Sequence, residues 1–179
     1  TMRHLVEGQS LADTPMAGNV ALKTPVYDWG YSGRFGDEIN WGNAIVQVPW
    51  FLHEYYGDTA VMTEHYDAMV DFVDYIEREK VLEGEDANVV DAALGDWVGA
   101  QTTSGRITGT WGYYLTVSQM ADMAEITGHD EDAERYAALA EDIKETFHER
   151  FYDPALGVYT SGGVEGATQT AQALALDAD

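Results

Sequence analysis

The chain has 179 residues, 45% of them hydrophobic, with 32 Asp+Glu against nine Lys+Arg, a formal net charge of -23 and no cysteine. That length suits one domain or a piece of a larger one, and the charge argues against nucleic acid and anionic membranes as partners, since both demand the opposite sign. The missing thiols exclude a disulfide framework and a thiolate metal site, and the sequence shows neither an 18-residue apolar run nor the basic-then-apolar pattern of a signal peptide.

A short helical piece is expected near residues 2 to 11. Residues 12 to 40 then read as irregular, with Pro15, Gly18, Pro25, Gly30, Gly33 and Gly36 set among Tyr27, Trp29, Tyr31 and Phe35. The segment from 41 to 56 carries Ile45, Val46, Val48, Trp50, Phe51, Leu52 and Tyr55, apolar nearly all round, which predicts an inner helix buried on most sides. After Gly57, Asp58 is placed to cap a helix whose stripe Met62, Tyr66, Met69, Val73 and Ile76 steps by four, three, four and three. Its acids fall mostly outside the stripe, so this helix is amphipathic and outer.

A connection from 81 to 109, rich in glycine, is far longer than a tight helical turn requires. The inner and outer pattern then returns: 110 to 127 is apolar on several faces, and from Asp130 to Phe151 the residues Tyr136, Ala140, Ile143, Phe147 and Phe151 form one stripe. The offsets support a repeat, Trp41 to Trp111 being 70 residues, Gly57 to Gly128 71 and Tyr66 to Tyr136 70. FYDPALGVYT, 151 to 160, suits a small β-hairpin, and a further helix is expected from Thr168. Nearly all-apolar inner helices need neighbours on both sides; a ring of helical hairpins supplies them, and so does an open helical solenoid.

Candidate chemistry sits in the loops. Glu38, Asp37 and Asp96 each lie near an aromatic in Gly-rich sequence, where burial raises a carboxyl pKa, against the plainer reading as turn or cap residues. Trp41 and Trp97 stand where loop meets element; an indole offers an apolar face for a sugar ring and one N–H donor, with core packing as the rival reading. Trp50 and Trp111 lie inside apolar helices and read as core. His53, His65, His129 and His148 lack the spacing of a helical zinc site, and no phosphate-binding glycine motif or serine-nucleophile context occurs, so no metal or cofactor is expected.

The segments WGNAIVQVPWFLHEYYGDTAVMTEHYDAM (41 to 69), GDW (95 to 97), GYYLTVSQMADMAEITG (112 to 128) and TQTAQALAL (168 to 176), in this order, resemble the catalytic domain of bacterial α-L-rhamnosidases. The resemblance implies an all-α fold, residues 1 to 179 forming part of an (α/α)6 six-hairpin barrel with long irregular loops, and inverting hydrolysis of terminal α-L-rhamnose. It implies a carbohydrate partner and a sugar site at Trp41, Asn43, Asp96 and Trp97. The family's general acid belongs to an Arg-x-Glu motif followed by Gly-Trp-x-Gly-Asp, with the base Glu well downstream; neither motif occurs here, so the catalytic acid and base are expected outside this chain, truncated at both ends. Asn43 stands where relatives usually have Asp, and residues 1 to 40 match poorly. The alternatives are another six-hairpin carbohydrate enzyme, trehalase-like or glucoamylase-like, or a non-catalytic helical-repeat binding protein. An incomplete ring also implies exposed apolar surface and self-association. The sequence leaves a cytoplasmic or secreted location open, and its acidity would suit high salt.

Overall fold

The computed structural model describes residues 2–9, 16–23, 37–92 and 94–178. The aromatic stretch around Trp29 lies outside these. The helices are α1 (Met2–Glu7), α2 (Ile39–Gly42), α3 (Ala44–Tyr56), α4 (Ala60–Glu64), α5 (Tyr66–Glu79), α6 (Gly105–Thr127), α7 (Asp130–Phe151) and α8 (Gln169–Asp177), with a hairpin of β1 (Tyr152–Asp153) and β2 (Val158–Tyr159) between α7 and α8. Tyr152 pairs with Tyr159 and Asp153 with Val158, antiparallel, so the hairpin expected around Pro154 and Gly157 is present.

The helices form two layers. In the inner one, α3 and α8 both pack on α6; in the outer one, α5 follows α3 and α7 runs back along the whole of α6. The repeat spacing acquires a physical meaning at the two turns. Gly57 ends α3 at φ 68° and Gly128 ends α6 at φ 79°, both left-handed C-caps. Tyr66 and Tyr136 are buried at matching places on the outer helices. The Tyr66 ring stacks on His129 at 3.8 Å and its hydroxyl donates to Asp132 at 3.0 Å, so one hairpin is keyed to the turn of the next. Arg135 ties α7 to Asp74 and Glu77 of α5.

Both expected outer stripes, Met62 to Ile76 and Tyr136 to Phe151, are buried throughout. Two expectations need correction. The helix beginning at 41 is two helices, α2 and α3, which meet at Asn43, where ψ relaxes to -5°. It is also only partly covered: Ile45, Val46 and Pro49 are buried where α1, α5 and α6 touch α3, while Phe51, Tyr55 and Tyr56 are exposed. Of the two tryptophans read as core, Trp50 packs at the edge of the main cluster and Trp111 beside the second, its Nε1 donating to Asp177 at 3.0 Å. The outer helix after Gly57 is broken too, at His65, between α4 and α5, and Asp58 accepts the Ala60 N–H at 2.9 Å as a capping residue does.

Helix α6 starts at Gly105, five residues before the expected 110. Its glycines are there because the segment 89–92 crosses the helix: a Cβ on Gly105 would stand 2.2 Å from the Ala92 carbonyl oxygen, and one on Gly109 would stand 2.5 Å from that of Val90. No backbone could run so close over larger residues.

Candidate active site

The first two turns of α6 are the anchor for everything at this end of the molecule. Ser104 caps the helix by accepting the Arg106 N–H at 3.2 Å. From one side comes α2. Glu38, in extended conformation, caps that single turn by accepting the Trp41 N–H at 3.1 Å. The next residue but one, Asn40, donates its amide to the Thr108 carbonyl at 3.2 Å and lies so near Gly112 that a Cβ there would come within 1.8 Å of Asn40 Oδ1. The turn bearing Trp41 is thereby fixed to α6.

From the other side comes the loop 91–104. Ala92 N–H donates to the Gly105 carbonyl at 2.9 Å, and Gly95, at φ 54°, packs against the Thr103 carbonyl. Asp96 Oδ2 accepts hydroxyl hydrogen bonds from Thr103 at 3.2 Å and Thr170 at 2.8 Å. The hydroxyls of Thr103 and Thr168 meet at 2.6 Å, and Thr168 caps α8 by accepting the Ala171 N–H at 3.1 Å. One carboxylate therefore joins the loop to the starts of two inner helices. Two residues further on, Val98 stands at φ 60°, a conformation that costs a β-branched residue on the order of 1–3 kcal/mol.

The segments carrying Trp41 and Asp96-Trp97 thus both dock on the start of α6. Neither indole is core: Trp41 is 52% exposed and Trp97 56%. Asn43 is 2% exposed, at the bend between α2 and α3. Asp96 is half-buried. Of the other acids, Asp37 pairs with Lys80 and accepts from the Tyr75 hydroxyl. Glu38 is 2% exposed, and its second oxygen, Oε1, is closed off without a partner. Burial pushes the Glu38 carboxyl above its ordinary range, opposed by the Trp41 and Asn40 backbone N–H groups and by Lys80. Glu38 thus holds backbone, as a cap residue does, whereas Asp37 holds two side chains, one of α5 and one of its C-cap. Among the described residues, no group of three or more His, Cys, Asp or Glu is placed to hold a metal ion, and no helix is long and apolar enough to cross a membrane.

The threonines that complete the arrangement, Thr103, Thr168 and Thr170, were not evident from sequence. The polar run TTSGR and the repeated threonine of TQT were the visible signals, and each looks like ordinary loop or cap chemistry until the two are brought together.

A family profile described as the bacterial alpha-L-rhamnosidase 6 hairpin glycosidase domain matches residues 3–179, so the poorly matching stretch before Trp41 lies within the match. An alpha-L-rhamnosidase of Alteromonas sp. (strain LOR) is 28% identical over 175 residues, 90% of this chain and 18% of that protein. One from Streptomyces avermitilis is 28% identical over 148 residues, 80% of this chain and 13% of that protein. Among solved structures, the alpha-L-rhamnosidase from Dictyoglumus thermophilum superposes with a TM-score of 0.81 at 24% identity, over 99% of this chain and 19% of that one. The Streptomyces avermitilis alpha-L-rhamnosidase complexed with L-rhamnose gives 0.77 at 24% identity, over 99% and 15%. The chain spans less than a fifth of the length of each of these relatives. The trehalase-like, glucoamylase-like and non-catalytic repeat alternatives gain nothing from these likenesses. Two layers of helical hairpins, the fold they share with solved α-L-rhamnosidases and the profile match over nearly every residue show that the chain belongs to the bacterial α-L-rhamnosidase six-hairpin glycosidase domain family.

Proposed function

We propose that the chain is the central part of an (α/α)6 barrel that hydrolyses terminal α-L-rhamnose from glycosides with inversion. In this reading Trp41 and Trp97 form apolar walls of the sugar site, Asn43 and Asp96 contact hydroxyls, and the general acid and base come from outside residues 1 to 179. The observation that carries it is the pair of exposed indoles on two segments fixed to the same turns of α6. An apolar lining with a few polar anchors is the usual composition of a ligand pocket. Asp96 has one oxygen engaged by threonines, which leaves the other for a sugar hydroxyl. Two solved relatives contain rhamnose, from Streptomyces avermitilis and Klebsiella oxytoca.

The test has two arms. Alone, the 179-residue chain should not turn over an aryl α-L-rhamnoside, because general acid and general base each contribute roughly 10²- to 10⁴-fold; turnover would place the acid and base within it. In the full-length protein, Trp97→Ala should lower kcat/KM for that substrate with the circular dichroism spectrum unchanged, and loss of folding would make Trp97 a packing residue instead. The exposed Phe51, Tyr55 and Tyr56 are, in the same reading, a face that a neighbouring inner helix covers. The isolated chain should then self-associate, which sedimentation at increasing concentration checks.

A further inference from the structure

The end of α7 forms a second concavity. Between its last turn, the β1–β2 hairpin, the turn at 160–162 and the start of α6 lies a cavity of about 500 Å³, whose lining includes Asp86, Arg106, Arg150, Tyr152, Asp153 and Ser161. That volume is ordinary for a small-molecule site. Both turns bordering it are fixed from within. Asp153 Oδ1 accepts the N–H groups of Ala155 at 2.9 Å and Leu156 at 3.2 Å, while the Thr160 hydroxyl donates to the Gly163 carbonyl at 2.5 Å and accepts the Gly162 N–H at 3.1 Å.

The polar wall is a shared ion pair. Arg106 Nη2 lies 2.5 Å from Asp86 Oδ2 and Arg150 Nε 4.0 Å from Asp86 Oδ1, and all three side chains keep more than a third of their surface open. Each guanidinium has five N–H donors, so two of them exceed what one carboxylate can accept. Facing outward on β1 is Tyr152, exposed, with its ring 5.2 Å from that of Tyr159.

Charge decides what such a cavity takes. The two arginines repel a metal cation. An anion would meet Asp86 and Asp153 as well as the arginines, inside a chain of net charge -23. A neutral polyol gains from every group present: surplus N–H donors and carboxylate acceptors for its hydroxyls, and an aromatic ring for its C–H face. We propose that this cavity is a saccharide-binding site separate from the one at Trp41 and Trp97. The choice of a sugar rests on the carbohydrate reading above, while the site itself uses none of the same side chains.

Saturation-transfer NMR on the 179-residue chain, with L-rhamnose and with D-glucose as probes, tests it. At least one sugar should receive saturation, Trp97→Ala should leave that signal in place, and Tyr152→Ala should weaken binding up to about tenfold, the range of one aromatic contact. Arg106→Gln should weaken it as well. Tyr152 is exposed, so its variant should keep the fold, which circular dichroism verifies. Loss on Trp97→Ala with retention on Tyr152→Ala would overturn the proposal, as would absence of transfer from either sugar at tens of millimolar. The reading at Trp41 and Trp97 is decided separately, by rhamnoside turnover of the full-length Trp97→Ala variant.

Discussion

The two helical hairpins repeat one plan and depart from it differently. In the second, α6 and α7 are unbroken over 23 and 22 residues and meet through a short turn after Gly128. In the first, the inner helix is interrupted at Asn43, Pro49 cannot donate to the carbonyl four residues back, and the outer helix is interrupted at His65. The continuous hairpin is the scaffold on which neighbours are placed. The interrupted one carries the exposed Trp41 on the short turn ahead of its first break. Regularity and presentation are divided between two copies of the same unit.

The sharpest way to test this contrast is to shorten one aromatic in each hairpin. Phe147→Ala in α7 removes a buried ring from the cluster of Val89, Ile107, Phe151, Ala171 and Ala175 and should cost about 3–5 kcal/mol, whereas Phe51→Ala on the exposed side of α3 should stay within about 0.5 kcal/mol. Urea midpoints measure both, and equal losses would mean that the outward side of α3 is covered as tightly as the core of α7. Next comes Gly109→Ala, where the added carbon would meet the Val90 carbonyl oxygen at 2.5 Å; about 1–3 kcal/mol should be lost as the crossing segment is pushed off α6. Smaller still, Gly57→Ala and Gly128→Ala each force a left-handed alanine into open space and should each cost about 1 kcal/mol. Equal losses at the two caps would sharpen the repeat, and unequal ones would show that the turns are not equivalent.

The smallest effect is a pH dependence at the start of the interrupted hairpin. The Glu38 carboxyl is raised in the folded chain, so the folded state holds its proton more tightly than the unfolded one. Its stabilisation is therefore fully present below the unfolded carboxyl range and is lost as pH rises through the folded value. Glu38→Gln, which keeps an acceptor for the Trp41 N–H, should gain midpoint temperature over the parent chain near neutrality and lose that advantage toward pH 4. An advantage independent of pH would show that the desolvated charge is not the cause.

Much of this architecture is legible in the residues because its causes are local. The stripes Met62 to Ile76 and Tyr136 to Phe151 fix which face of each outer helix is buried, and a Gly after a helix of suitable length marks its end. The start of α6 was not legible, since Gly105 and Gly109 look like loop glycines until the crossing of 89–92 supplies their reason. An incomplete ring implies some exposed apolar surface, but not that it falls on Phe51, Tyr55 and Tyr56, because an apolar residue does not say which neighbour covers it. At the candidate site, Trp41 and Trp97 could be singled out from their junction positions and the family resemblance. The threonines around Asp96 could not, being paired across 65 to 74 positions of sequence where no periodicity reaches.

That separation bears on the order in which the molecule comes together. Contacts between α6 and α7 close short loops and form early at little entropic cost, whereas the Asp96 to Thr170 bond must wait until a distant helix docks. Folding of the Trp97 loop is then a late event, completed by α8. A ribosome still short of Thr168 would carry both hairpins without that loop's contacts to Thr168 and Thr170, and the loop should gain its full protection from hydrogen exchange only after α8 docks.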